Sequence, residues 1–192
     1  MSIEYYFLNI GITALGRALD LLSTYYITPS LKLETNRLVS KFGWKGSIVL
    51  QIPVLILGAF FRPIAIFFLA WSIIVAASNI SGAWFIKHFP GGDVKYAEFL
   101  TNSAKKASIL NILLDESTPL VLYTLPSVVV WIWIASEIGN IIYLIEQETL
   151  VSYVLIITGA LIFHGIVSFI RNFLYIIRLR KEKMQPKEGS GY

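Results

Sequence analysis

The sequence PIAIFFLAWSIIVAASNISGAWFIK, residues 63–87, is an apolar run that carries no charged side chain before Lys87. A membrane-spanning helix needs about 20 consecutive, mostly apolar residues. This run is long enough, and Arg62-Pro63 places a proline where it fits the first turn of a helix. The run therefore predicts a helix that crosses a membrane.

The whole chain has the same apolar character. Of its 192 residues, 56% are hydrophobic and only 15% are charged, and the mean hydropathy is +0.68. Soluble domains are about 45–50% apolar and about 25% charged. The composition thus excludes soluble, disordered and coiled-coil proteins. We predict an all-α fold, a polytopic integral membrane helical bundle of about five transmembrane helices plus a cytoplasmic interfacial amphipathic helix.

Apolar stretches bounded by prolines and charges give the predicted spans. They cover residues 3–27, 47–61, 63–87, 118–145 and 150–179. The second is short for a span, so the sequence leaves open whether it crosses fully. Pro126 predicts a kink in the fourth. We expect a single transmembrane domain over residues 1–183, followed by a flexible cytoplasmic tail over 184–192.

Residues 93–115 carry an amphipathic pattern. Their apolar side chains share one helical stripe: Tyr96, Leu100, Ala107, Leu110 and Leu114. Such a helix lies in the plane of the membrane surface, and Asp93 is placed to cap its start. Two interpretations stay open for it. Its lysines bind anionic lipids or a partner, or the helix only connects two spans.

The basic residues predict the orientation. The chain has 16 lysines and arginines; leaving out Arg17, Arg62 and Arg171, thirteen remain, all on one side of the predicted bundle. These residues follow the first span, the third span and the fifth span: Lys32, Arg37, Lys41, Lys45, Lys87, Lys95, Lys105, Lys106, Arg178, Arg180, Lys181, Lys183 and Lys187. Because cytoplasmic loops are enriched in Lys and Arg, we predict an N-terminus outside the cell membrane and a C-terminus in the cytoplasm.

The first span contains charged residues at membrane depth. Arg17 and Asp20 are three residues apart, and Thr24 follows Asp20 by four, so all three share one helix face. A charge at the centre of a spanning helix costs about 2.5–3.5 kcal/mol. Pairing lowers that cost. The group is either a structural ion pair that orients helices or part of a binding site.

Further polar residues fall in the same layer. With the predicted directions, Asn79 of the third span and His164 and Arg171 of the fifth lie at mid-depth or in the cytoplasmic half, as Asp20 does. The sequence therefore predicts a polar cavity, open to the cytoplasm, formed by side chains from several spans.

The stretch LDLLSTYY, residues 19–26, followed by LETNRL, residues 33–38, is the most distinctive in the chain. It resembles an uncharacterised family of small prokaryotic multi-pass membrane proteins, whose first helix has an Asp-x-x-x-Thr pattern followed by a Glu-x-Asn-Pro-like motif. The matching positions are Asp20, Thr24, Glu34 and Asn36, while Arg37 stands in place of the proline. The resemblance implies candidate residues and no activity.

Two interpretations of Glu34 and Asn36 follow from their position after the first span. Glu34 pairs with Arg17 or Arg171, while Asn36 satisfies free backbone groups. Alternatively, the segment is an ordinary capped turn with Glu34 in solvent.

The chain offers little for known catalytic chemistry. It has no cysteine and only two histidines, which excludes disulfides and thiolate chemistry. We predict no cofactor and no metal site. Asn79-Ile80-Ser81-Gly82 with His164 is similar to the serine and histidine of rhomboid proteases, although Asn79 replaces a glycine of that motif. We treat an intramembrane hydrolase as a minor alternative and lean towards a protein that is not an enzyme.

The preferred function is binding or transport of an ion, a proton or a lipid headgroup in the polar cavity. The alternative is a structural or accessory subunit of a membrane complex. The candidate site residues are Arg17, Asp20, Thr24, Glu34, Asn36, Asn79, His164 and Arg171. The expected partners are membrane lipids, anionic on the cytoplasmic face, with other proteins or further copies of the chain possible and nucleic acid excluded.

Overall fold

The computed structural model describes residues 2–138, 141–146 and 148–181, and within these ranges the chain is helical without a strand. The predicted tail, residues 184–192, lies outside them. The helices are α1 (Ile3–Ile27), α2 (Arg37–Val49), α3 (Gln51–Phe60), α4 (Arg62–Ser81), α5 (Ala83–His88), α6 (Gly92–Lys106), α7 (Ile109–Glu116), α8 (Leu125–Ile138), α9 (Ile141–Glu146) and α10 (Leu150–Lys181).

Three helical stretches are long and apolar enough to cross a membrane: Arg62–His88, Ile109–Glu137 and Leu150–Lys181. A fourth candidate is the pair Leu38–Val49 and Gln51–Phe60, which is bent by 42° at Leu50. Helix α1 is 25 residues long, but it does not reach the same apolarity. The described chain therefore has three to four helices that could cross a membrane by length and composition.

The predicted interfacial helix over residues 93–115 is two helices in the structure. Ala107 leaves the helical conformation, with φ −70° and ψ 145°, and the Ser108 hydroxyl then caps α7 by accepting a hydrogen bond from the backbone N–H of Asn111 at 3.1 Å. Since α7 leads into α8, the fourth long helix begins at Ile109 and not at residue 118 as predicted. The amphipathic helix ends at Lys106.

Two local predictions also differ from the structure. Asp93 is not the cap of α6; the preceding Gly91 occupies that position with a left-handed φ of 89°. At the kink predicted for Pro126, the structure has a π-helical segment, Leu120–Thr124, immediately before α8, within one helical stretch from Ile109 to Glu137. A π-helical turn shifts the hydrogen-bond register of the backbone, which suits a proline that has no N–H to donate.

Helices α1 and α4 run parallel and side by side along their lengths. At one end the backbone N–H of Arg62 donates to the Tyr5 hydroxyl at 3.2 Å, and towards the other the Asn79 amide donates to Thr24 Oγ1 at 3.2 Å; beyond α4, the Lys87 ammonium of α5 lies 3.2 Å from the centre of the Tyr26 ring. Between them, a Cβ on Gly16 would lie 2.9 Å from the Cα of Leu69. Glycine is therefore required at this close approach.

The remaining long helices complete a bundle around this pair. Helix α3 runs antiparallel to α1, since Gln51 contacts Arg17 and Ala59 contacts Asn9. Helix α10 packs on α4, where the Phe163 ring meets Trp71 with their centres 4.9 Å apart. The chain from α7 to α8 runs antiparallel to α10. As a result, the C-terminal parts of α1, α4 and α10 lie at the same end of the bundle as the starts of α3 and α7.

Candidate functional site

A cavity of about 640 Å³ opens at this end of the bundle. Residues from α1, the segment between α1 and α2, α4 and α10 contribute its polar wall. All eight of the candidate residues line it: Arg17, Asp20, Thr24, Glu34, Asn36, Asn79, His164 and Arg171. Residues far apart in the chain are thus brought to one place, although their contacts with one another differ in kind.

Arg17 is the centre of one group of contacts. Its guanidinium lies 2.6 Å from the Asp20 carboxylate, and it donates to Gln51 Oε1 at 2.5 Å and to Ser72 Oγ at 3.2 Å. It also lies 5.8 Å from the centre of the Trp71 ring. Three helices, α1, α3 and α4, therefore hold this one cation.

Asn79 connects α4 to α1 one layer further along the bundle. Its side-chain amide donates to Ser23 Oγ at 3.0 Å and to Thr24 Oγ1 at 3.2 Å. Ser23 in turn donates to the backbone carbonyl of Asp20 at 2.9 Å. A chain of hydrogen bonds therefore connects Asn79 to the backbone of Asp20.

Arg171 on α10 holds the segment between α1 and α2. It lies 3.1 Å from Glu34 Oε1 and donates to Thr35 Oγ1 at 2.5 Å. Of the two partners predicted for Glu34, the structure shows Arg171. The Glu34 side chain is only 10% exposed, so the alternative of a carboxylate in solvent is wrong.

Asn36 caps the helix that follows this segment. Its side-chain oxygen accepts a hydrogen bond from the backbone N–H of Leu38 at 3.0 Å, while its own N–H donates to Glu34 Oε1 at 2.7 Å. The ordinary capped turn is thus present together with the buried ion pair of Glu34 and Arg171. The ion pair of the first interpretation and the capped turn of the second are therefore both present.

A second attachment holds the same segment from α6. The Asp93 carboxylate accepts hydrogen bonds from the Thr28 hydroxyl at 3.2 Å and from the hydroxyl and backbone N–H of Ser30 at 2.5 and 3.2 Å. Burial alone would raise the pKa of Asp93, but these hydrogen bonds outweigh it and hold that pKa below its ordinary value of 3.8. Residues 28–36, which we call the cover segment, are thus held by both α6 and α10.

The pH dependence of the cover segment is predicted from Glu34. Burial raises the pKa of Glu34 above its ordinary value of 4.5, although the N–H of Asn36 and the charge of Arg171 act in the opposite direction. A Glu34 in solvent would titrate near 4.5, so protonation favours the buried, closed position. As the pH falls from neutral through the raised pKa, the cover segment should therefore become less mobile.

The measurement uses a nitroxide spin label at Lys32→Cys, in a chain that has no other cysteine. Its electron paramagnetic resonance spectrum should show lower mobility at pH 5 than at pH 7. The Glu34→Gln variant should remove this difference, because its side chain does not titrate. Higher mobility at pH 5 would contradict the prediction, as would an unchanged pH dependence in Glu34→Gln.

An intramembrane serine hydrolase would require a contact between Ser81 and His164. The structure does not show this contact between the two side chains. His164 Nε2 lies 3.5 Å from Ser78 Oγ and 3.4 Å from Ser168 Oγ, and the His164 ring packs against Tyr123 with the centres 5.1 Å apart. Ser81 instead donates to the carbonyl of Ser78 in its own turn. The nucleophile–base pair of that alternative is therefore not formed.

The described residues contain no group of three or more His, Asp or Glu side chains that could hold a metal ion. Several residues of the cavity wall were not among the predicted candidates: Thr35, Gln51, Glu116, Ser168 and Asn172. Gln51 and Ser168 are uncharged residues within apolar runs, and their sequence positions do not show which face of the helix they occupy. Glu116 lies before the predicted start of the fourth span. The sequence therefore does not place its side chain in the site.

No protein-family model, curated protein or solved structure matches this chain. The family resemblance carried by Asp20, Thr24, Glu34 and Asn36 stays a prediction.

Proposed function

We propose that this protein is a five-span membrane protein that binds a small ligand with an ionic group, such as a lipid headgroup or an organic ion, in a cavity that opens to the cytoplasm. The observation that carries this proposal is the convergence of charged and polar side chains on one cavity of about 640 Å³. Binding sites for small molecules have volumes of about 300–1,000 Å³. The ligand is therefore larger than a proton or a bare ion.

The packing of α1 supports the fifth span. This helix lies beside α4 from Tyr5 at Arg62 to Tyr26 at Lys87, and α4 with α5 is one of the helices apolar enough to cross a membrane. If Arg62–His88 crosses, α1 occupies the same depth. The pairing of Arg17 with Asp20 lowers the cost of placing both in that layer.

The distribution of basic residues supports the orientation. The cavity end of the bundle carries Lys32, Lys87 and the basic C-terminal turn of α10. Arg62 lies at the opposite end. Cytoplasmic loops carry the excess of Lys and Arg. We therefore place the cavity mouth on the cytoplasmic side, with the N-terminus outside.

A purely structural role for the polar residues fits the cavity less well. Protein interiors are packed closely, and voids larger than a water molecule are few. The Arg17 and Asp20 side chains are largely buried, with 13% and 18% exposure, and both line the cavity, so open volume remains directly beside the pair. A site for a ligand explains both the volume and its polar wall.

The test is a variant that fills the cavity. Val75 lines the cavity, and Ile73 on the same helix is 49% exposed on the apolar surface. Val75→Trp and Ile73→Trp therefore introduce the same bulky side chain in two different places, one inside the cavity and one outside it. Native mass spectrometry of the full chain released from lipid nanodiscs should show a bound mass on the parent protein and on Ile73→Trp, and loss of that mass from Val75→Trp.

The same bound masses on all three proteins would contradict the proposal, as would none on any of them. A protein that copurifies in fixed stoichiometry, with no small bound mass, would favour the accessory subunit. The motif formed by Asp20, Thr24, Glu34 and Asn36 resembles that of a small membrane-protein family. We include membership of this family in the proposal only because the resemblance points to the same residues.

A further inference from the structure

The charges on the cavity wall do not balance. Two arginines, Arg17 and Arg171, face three carboxylates, Asp20, Glu34 and Glu116. Arg17 is paired with Asp20 at 2.6 Å and Arg171 with Glu34 at 3.1 Å. These two pairs cancel, so one negative charge is left when all five groups are ionised.

The remaining charge belongs to Glu116 at the end of α7. Its carboxylate contacts the Asn172 amide of α10, and among the side chains that the structure describes no Lys, Arg or His lies within ion-pair distance of it. The neighbouring charge is Asp115, which has the same sign. A partly buried carboxylate is costly unless a cation or a full set of hydrogen bonds accompanies it.

The rest of the wall suits the body of an organic cation. Trp44, Trp71 and Tyr96 line the cavity together with aliphatic side chains. Aromatic faces attract cations within about 6 Å of the ring centre, and Arg17 already lies 5.8 Å from the centre of Trp71. The wall thus combines apolar surface, aromatic rings and one uncompensated carboxylate.

We infer that the cavity binds a lipophilic organic cation, with Glu116 as its counter-ion and the aromatic side chains against its apolar body. This inference rests on the proposed function, because it names the charge of the ligand that the same cavity takes. An anionic ligand would meet an excess of negative charge in the cavity and would gain nothing from Glu116.

The test compares two probes of the same shape and opposite charge, tetraphenylphosphonium and tetraphenylborate. The full chain is placed in nanodiscs of zwitterionic lipid, and binding is measured by equilibrium dialysis with empty nanodiscs subtracted. The phosphonium should bind saturably, and the borate should bind no more than to empty nanodiscs. Glu116→Gln should weaken phosphonium binding by at least about tenfold, since it removes the counter-ion of the bound cation.

Asp115→Asn is the matched control, because Asp115 is exposed, does not line the cavity, and carries the same charge one residue away. It should bind the phosphonium as the parent protein does. Equal weakening in both variants would show a general effect of net charge and would overturn the inference. So would unchanged affinity in Glu116→Gln.

The outcomes also separate this inference from the proposed function. If tetraphenylborate binds saturably and Val75→Trp removes that binding, the cavity is a ligand site and the inference about its charge is wrong. If neither probe binds saturably, the inference about a lipophilic cation is wrong, while the bound mass on the parent protein and its loss in Val75→Trp still decide the proposed function. If Val75→Trp leaves saturable phosphonium binding unchanged, the cation binds outside the cavity and the inference is also wrong.

Discussion

Replacing Arg17 by methionine is expected to lower the free energy of unfolding by about 3–5 kcal/mol. The reason is that several groups depend on the Arg17 guanidinium as a counter-ion or as a hydrogen-bond donor. Without the guanidinium, Asp20 loses the counter-ion that lies 2.6 Å away, and the Gln51 oxygen loses its donor. Removing one partner of a buried ion pair leaves the other charge uncompensated, which costs more than the pair itself contributes.

A double-mutant cycle measures this effect. The Arg17→Met/Asp20→Asn protein should be more stable than Arg17→Met alone, because it no longer holds the uncompensated charge. Arg62→Met is the matched control. Arg62 and Glu148 lie 3.0 Å apart with side chains 26% and 35% exposed, and exposed pairs contribute about 1 kcal/mol or less.

Unfolding in mixed micelles by a denaturing detergent would be followed for all of these variants. A loss for Arg17→Met no greater than that for Arg62→Met would contradict the expected result. So would a double variant less stable than Arg17→Met. Either outcome would mean that the Arg17–Asp20 pair is effectively in solvent.

Much of the architecture follows from the sequence because apolar length and charge placement are local properties. The predicted span 3–27 coincides with α1, Ile3–Ile27, and the predicted start of the last span at residue 150 is the start of α10. The four-residue spacing of Asp20 and Thr24 placed them on one face. Both line the cavity.

The rotation of each helix is not a local property, and it decides which residues meet. Glu34 had two predicted partners, and only the packing of α10 beside the cover segment selects Arg171. Gln51 faces Arg17 because α3 begins after a bend of 42°. Neither the bend nor the direction of the side chain is visible in an apolar run.

Among the differences between prediction and structure, the helix boundary at Ser108 has the largest effect on which residues form the site. A short amphipathic stripe is typical both of a surface helix and of the first turns of a span, and the predicted surface helix, residues 93–115, includes residues 109–115. The Ser108 cap begins a new helix instead. Moving the span from residue 118 back to Ile109 brings Glu116 into the cavity wall, where its charge becomes the basis for a cationic ligand.

Asn79→Cys and Ile80→Cys are expected to differ widely in their reaction with a water-soluble thiol reagent. Asn79 lines the cavity, whereas its neighbour Ile80 is 56% exposed on the apolar surface that would face lipid. A thiol reacts as its thiolate, and apolar surroundings raise the thiol pKa, so each unit of that rise slows the reaction about tenfold. The chain has no other cysteine, so every modification reports the introduced residue.

The most direct measurement of the polar cavity is therefore the modification rate of these two cysteines by a membrane-impermeant thiosulfonate, applied to sealed vesicles of known orientation. We expect Asn79→Cys to react from the cytoplasmic side at least about ten times faster than Ile80→Cys. Equal, slow rates for the two, or reaction of Asn79→Cys only from the outer side, would contradict a water-filled cavity open to the cytoplasm.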